Sequence, residues 1–159
     1  MDIAEGLRYL HSKGVAWNDG HFCNMLLTED LRIVLCDFGI SSCPALNIPT
    51  SVLPGDLWRS PRPEPGTPRQ DVFALATAAF VLLMGRWPHL KSFEVKLDDI
   101  EMVYGRHLRG EWDRGLLAVP GCRTLGEVLL RCWRGDYVGI DSILAAVVEA
   151  CELCKRRLA

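Results

Sequence analysis

Eleven consecutive residues, Ala74 to Met84, contain a single polar side chain, Thr77, and Gly85 follows them directly. Led in by Asp71, the stretch reads as a helix that is apolar on every side, and such a helix is stable only when other elements surround it. It is too short to cross a bilayer. The remainder must therefore wrap around residues 71–84, which are expected to form the most buried helix of the fold. At 159 residues the chain is long enough to build that core as one domain.

The flanking pattern supplies the wrapping. Ile3, Leu7 and Leu10 have the spacing of an amphipathic helix, which Gly14 stops. Val15 to Cys23 mixes Trp, Asn, Asp, Gly and His and reads as a loop. Two short apolar runs, Met25–Leu27 and Arg32–Cys36, flank Thr28-Glu29-Asp30 and predict a two-stranded ribbon. Ser41 to Gln70 holds seven of the nine prolines and predicts a long irregular segment. Asp98–His107, Leu125–Cys132 and Ile140–Arg157 are expected as peripheral helices, the last with Ile143, Val147, Ala150, Cys151 and Cys154 on one face. The expected class is mainly α with a small two-stranded β ribbon, without internal repeats.

Lys plus Arg is 18 and Asp plus Glu is 20, a net charge of −2, which argues against nucleic acid or an anionic membrane as partner. Lys155-Arg156-Arg157 ends a helix, where cations complement the macrodipole. Met1 is followed by Asp2 and Glu5 rather than by a basic and then apolar run, so a cytoplasmic or nuclear location is expected. The seven cysteines then read as reduced thiols. Cys151 and Cys154 have no second pair or histidine at zinc-site spacing and read as two packed thiols.

Gly6-Leu7-Arg8-Tyr9-Leu10-His11-Ser12-Lys13-Gly14-Val15 resembles the helix and turn that lead into the catalytic loop of eukaryotic-type protein kinases. Where that family continues H-R-D-x-x-x-x-N and then D-F-G, this chain has Trp17-Asn18-Asp19-Gly20-His21-Phe22-Cys23-Asn24 and then Asp37-Phe38-Gly39, with the family's spacings. Leu57-Trp58-Arg59-Ser60-Pro61 is similar to the end of the activation segment, Asp71–Pro88 to the buried central helix and its exit, and Cys132-Trp133-Arg134-Gly135-Asp136 to a late helix end. The Trp in place of the catalytic-loop His resembles divergent fungal kinase-like proteins.

The resemblance implies a kinase-like C-terminal lobe over residues 1–159, with residues 37–62 as activation segment and the N-terminal lobe absent. It implies ATP and Mg²⁺ as cofactors, Asp19 as catalytic base with Asn24 in the catalytic loop, and Asn24 and Asp37 as metal and nucleotide ligands. Hard oxygen ligands suit Mg²⁺, and phosphoryl transfer rests mainly on positioning and charge stabilisation. The side chains of Asp19, Asn24 and Asp37 are expected to converge on one cleft. Asp71 is expected as scaffold, its carboxylate accepting from the catalytic-loop backbone.

Several departures bear on activity. The sequence carries no Gly-rich loop, strand Lys or helix Glu ahead of the catalytic loop. Asn18 stands where the family's Arg pairs with a phosphorylated loop, so Ser41, Ser42, Thr50 and Ser51 are expected to be ordinary loop residues. His21 takes the catalytic-loop Lys position. Arg62 takes the A-P-E Glu position and Ile140 that of its Arg partner, so both ends of that ion pair are lost together; alternatively Glu64 is the displaced Glu. The function implied is ATP-dependent phosphorylation of protein Ser/Thr. The alternatives are an inactive fragment that serves as a binding module, and a chain whose N-terminal lobe is encoded upstream of Met1. The expected partner is a protein substrate, or a protein covering an exposed apolar surface that would face the other lobe.

Overall fold

A computed structural model describes residues 1–49, 52, 54–61, 67–137 and 139–158, with side chains described as far as residue 153. Among these residues the α-helices are α1 (Asp2–Ser12), α2 (Pro68–Met84), α3 (Leu97–Leu108), α4 (Arg123–Arg134) and α5 (Ile140–Leu158). Strands β1 (Met25–Leu27) and β2 (Ile33–Leu35) form one antiparallel pair with Met25 opposite Leu35, Leu26 opposite Val34 and Leu27 opposite Ile33. The mainly helical class with a two-stranded ribbon is what the pattern predicts.

The central helix begins at Pro68 rather than Asp71. Proline suits the first helical position, because its φ is already helical and its missing N–H has no intrahelical partner to lose. The helix ends at Gly85 with φ 63°, a left-handed cap that glycine takes without strain. Ten of the 17 residues of α2 are buried, more than in any other helix among the described residues. One side packs with α4 and α1 in a core that includes Leu7, Phe73, Phe80, Trp133 and Ile143. The other seats Trp58, Ala74, Ala78, Val81 and Trp87. Even the polar Thr77 is used: its hydroxyl donates to Phe73 O at 3.1 Å and accepts from the Trp133 indole N–H at 3.1 Å.

Burial does not extend around the last turn of α2. Leu82 is 64% exposed and Leu83 is also exposed, contrary to the expectation from an all-round apolar run. They border an apolar groove of about 420 Å³ that also meets Ile3, Leu31, Leu125 and Val147. A second correction concerns α5. Its buried face is Ile140, Ile143, Leu144 and Ala150, while Cys151 is exposed rather than packed. On the helical wheel Cys151 still falls between Ile140 and Leu144, so its exposure reflects which level of the helix is covered rather than which face it occupies. The Cys154 side chain lies outside the described residues.

The ribbon is tied to α1. Asp2 Oδ2 accepts from Ile33 N at 2.9 Å and Oδ1 pairs with Arg32 at 3.0 Å, which places the ribbon directly above the start of the chain. Among the described residues no helix is long and apolar enough to cross a membrane.

Candidate active site

The loop from Ala16 to Asn24 has no regular secondary structure to hold it until the short 3₁₀ turn Phe22–Asn24, so its backbone N–H groups need partners from elsewhere. Asp71, in the first turn of α2 and completely buried, provides them. Its Oδ2 accepts from Trp17 N and contacts His11 Nε2, both at 2.9 Å, and Oδ1 accepts from Asn18 N at 2.7 Å. The scaffold role expected of Asp71 is what its contacts perform. Asn18 takes a left-handed φ of 66°, a conformation that asparagine tolerates better than most residues.

The loop is then joined to the ribbon and to the segment beyond it. The buried Trp17 indole N–H is shared between the carbonyls of Cys36 and Asp37, each at 3.0 Å. Asn24 O accepts from Cys36 N at 2.9 Å, and the Asn24 side-chain amide donates to Asp19 O at 3.3 Å. Asp37 also has a left-handed φ, 55°, and its Oδ1 accepts from Gly39 N at 3.0 Å, closing a tight turn. Residues as far as 20 positions apart are thus held as one hydrogen-bonded unit. The side-chain oxygens within it are treated differently. Those of Asp71 are fully engaged, whereas the carboxylate of half-buried Asp19, Asn24 Oδ1 and Asp37 Oδ2 make no hydrogen bond among the described residues.

Two residues fill roles that the linear pattern does not announce. A side chain at Gly20 would strike Ala74 of α2, so only glycine lets the loop sit this close to the helix. Beneath it the Trp58 ring meets Phe22 edge-on at 4.9 Å and Trp87 at 5.2 Å. Gln70 fixes Trp58 by donating to its carbonyl at 2.7 Å and accepting from Ser60 N at 3.0 Å. The only sequence signals for these contacts were a glycine next to Asp19 and a glutamine beside Asp71.

His21 is spent locally: its Nδ1 accepts from Cys23 N at 3.1 Å, capping the 3₁₀ turn, and its ring lies 5.6 Å from that of Trp58. Ser41 donates to Trp17 O at 2.9 Å, and Ser42 is buried and bridged to Ala16, so neither hydroxyl is an open loop group. Ile140 is buried in the main core. Thr50, Ser51, Arg62 and Glu64 lie outside the described residues. Above the unit the surface is apolar, with Leu26, Val34 and Phe38 exposed. Among the described residues no cluster of three or more His, Cys, Asp or Glu is placed to hold a metal ion.

Residues 1–133 match the family model described as the protein kinase domain. The chain belongs to the protein kinase family. It is 30% identical over 164 aligned residues to the serine/threonine-protein kinase ssp1 of Schizosaccharomyces pombe, an alignment covering 85% of this chain and 25% of that protein. It is 31% identical over 163 residues to the serine/threonine/tyrosine-protein kinase HT1 of Arabidopsis thaliana, covering 91% of this chain and 38% of that protein. A probable serine/threonine-protein kinase of Dictyostelium discoideum is 32% identical over 101 residues, 61% of this chain and 11% of that protein. The chain therefore spans well under half the length of these kinases.

Proposed function

We propose that this chain is the C-terminal lobe of a kinase domain that phosphorylates serine or threonine hydroxyls of proteins, with residues 37–62 as its activation segment. The observation that carries the reading is the contrast in oxygen use. The backbone around Asp19, Asn24 and Asp37 is pinned from several sides, yet each keeps a side-chain oxygen available.

Such a donor set, one carboxylate and one amide oxygen from adjoining segments, fits Mg²⁺, which takes hard oxygen ligands and keeps part of its water shell. Asn24 Oδ1 and Asp37 Oδ2 would hold it. Bound Mg·ATP supplies the phosphoryl group and the charge neutralisation that transfer requires. Asp19 stands next to this pair through the Asn24 amide. Its carboxylate would orient the incoming hydroxyl and accept its proton as that oxygen bonds to the γ-phosphorus and the bond from the γ-phosphorus to the departing ADP oxygen breaks. His21 adds no fixed cation, since it is engaged as a cap. The sequence also carries no Gly-rich loop to cover phosphates, so positioning by these 159 residues is incomplete.

The exposed Leu26, Val34 and Phe38 support a second reading, in which the chain acts by docking a protein on this face without catalysis. Radiolabelled ATP with a generic protein substrate separates the readings. The expected result is weak, Mg²⁺-dependent nucleotide binding that Asp37→Asn abolishes, with equal background transfer from wild type, Asp19→Asn and Asp37→Asn. Robust transfer by the wild type, lost in both variants, would establish the chain as an enzyme on its own. Absence of Mg²⁺-dependent binding would reject the nucleotide site.

A further inference from the structure

Asn18 is 1% exposed, and its side-chain amide points away from Asp71 toward the segment that follows Gly39. Its Nδ2 lies 3.2 Å from Ile40 O, 3.3 Å from Ala16 O and 3.4 Å from Ser42 Oγ. Among the described residues, two hydrogens are thus distributed over three acceptors at a buried site. Alongside, Ala16 N donates to Ser42 O at 3.0 Å and Ser42 N to Ala16 O at 2.9 Å, and Ser41 Oγ donates to Trp17 O at 2.9 Å. Residues 40–42 are thereby laid against residues 16–18 entirely by neutral groups. Asp37 is bracketed between two anchors on adjacent residues: the Trp17 indole at its own carbonyl and the Asn18 amide three residues later.

We infer that Asn18 is the positioning residue that fixes Asp37 relative to Asp19, by clamping residues 40–42 with an uncharged amide so that the placement is insensitive to salt. What Asp37 is placed for rests on the phosphotransfer reading above; the clamp itself does not. An ion pair at this position would be weakened by screening, whereas buried neutral hydrogen bonds are not. Unpairing them leaves buried carbonyls without donors, an effect large enough to open the segment locally.

Amide hydrogen exchange on the whole chain tests this. Asn18→Gly accepts the left-handed backbone and deletes only the side chain. Asn18→Asp keeps a side chain that tolerates the same backbone but turns an acceptor toward three acceptors. Both should accelerate exchange at Ala16, Gly39 and Ser42 by about tenfold or more, while amides of Val72–Phe80 and Val128–Trp133 keep wild-type protection. In the wild type, exchange at Ser42 should change less than about twofold between low salt and 1 M NaCl. Unchanged exchange at Gly39 and Ser42 in both variants overturns the inference. So does acceleration that is uniform through the core, which would make Asn18 a general stability residue, and so does marked salt sensitivity in the wild type. Mg·ATP titration of the same proteins keeps the two claims apart. A wild type that binds no nucleotide sinks the phosphotransfer reading and leaves the exchange result to decide the clamp. A wild type that binds, with affinity reduced in Asn18→Gly, supports both.

Discussion

The two ends of α2 each carry a carboxylate hub, and the hubs are built on different physics. Asp71, in the first turn, gathers two backbone N–H groups and His11, and among the described residues it meets no arginine or lysine. Beyond the last turn, Arg86 pairs with Asp113 at 2.7 and 3.2 Å, and Asp113 also accepts from His89 N at 2.6 Å and Gly115 N at 2.7 Å. Burial alone would raise the Asp113 carboxyl, but the Arg86 hydrogen bonds and the two backbone donors outweigh it and hold the group down at about 2. The first hub shapes the loop for which phosphotransfer is proposed; the second fixes the exit from α2. What sets the first hub apart is a pinned backbone whose neighbouring side-chain oxygens stay unengaged among the described residues.

The comparison makes its largest claim at Asp71. Asp71→Ala strands two buried N–H groups beneath the loop and is expected to cost about 3–5 kcal/mol, read from urea unfolding. Asp113→Ala, at a half-buried site that water can partly reach, is expected to cost about 2 kcal/mol. Equal losses would erase the distinction between the hubs.

Acid sensitivity sharpens it further. Beside the Asp113 hub lies His107, 1% exposed, with neither ring nitrogen hydrogen-bonded among the described residues. Burial, helped by the neighbouring His89, lowers it to about 4. The unfolded chain thus binds the extra proton from about pH 6.5 downward, before the folded chain does. Stability is full above that range and falls by about 3 kcal/mol as pH drops from 6.5 to 4. His107→Phe should flatten this limb. A stability curve unchanged by the substitution would show that the buried ring titrates normally.

Below that range Asp113 takes over. Its folded value lies under the usual 3.8, so its contribution is present above pH 4 and is lost between 4 and 2, about 2 kcal/mol in all. Asp113→Asn should remove this limb, and because the Asp113 charge also holds the His107 value up, it should deepen rather than flatten the limb above.

The smallest expected effect lies between the hubs, on the last turn of α2. Leu82→Gln should shift stability by no more than about 0.5 kcal/mol, because that side chain is already mostly in water. A loss of more than about 2 kcal/mol would mean that the bordering groove is closed in solution.

Read alone, the sequence determined what is local or strictly spaced. The apolar run identified α2, the two short runs the ribbon, and Gly85 a helix end. Asp71 was legible as scaffold, and the intervals from Asp19 to Asn24 and Asp37 carried the kinase resemblance. Such features survive in one dimension because helix period, strand alternation and left-handed caps act over a few residues. Only the tertiary structure decided the rest. It brought the Trp17 indole to carbonyls about twenty positions away, placed the Asn18 amide under Ile40 and Ser42, and pressed Gly20 onto Ala74. It also left Leu82 and Leu83 uncovered although their composition matches the buried part of the same helix. Hydropathy records how much surface a residue would rather hide. Which side of a helix finds a neighbour, and which donor finds which distant carbonyl, depends on how separate elements meet in space.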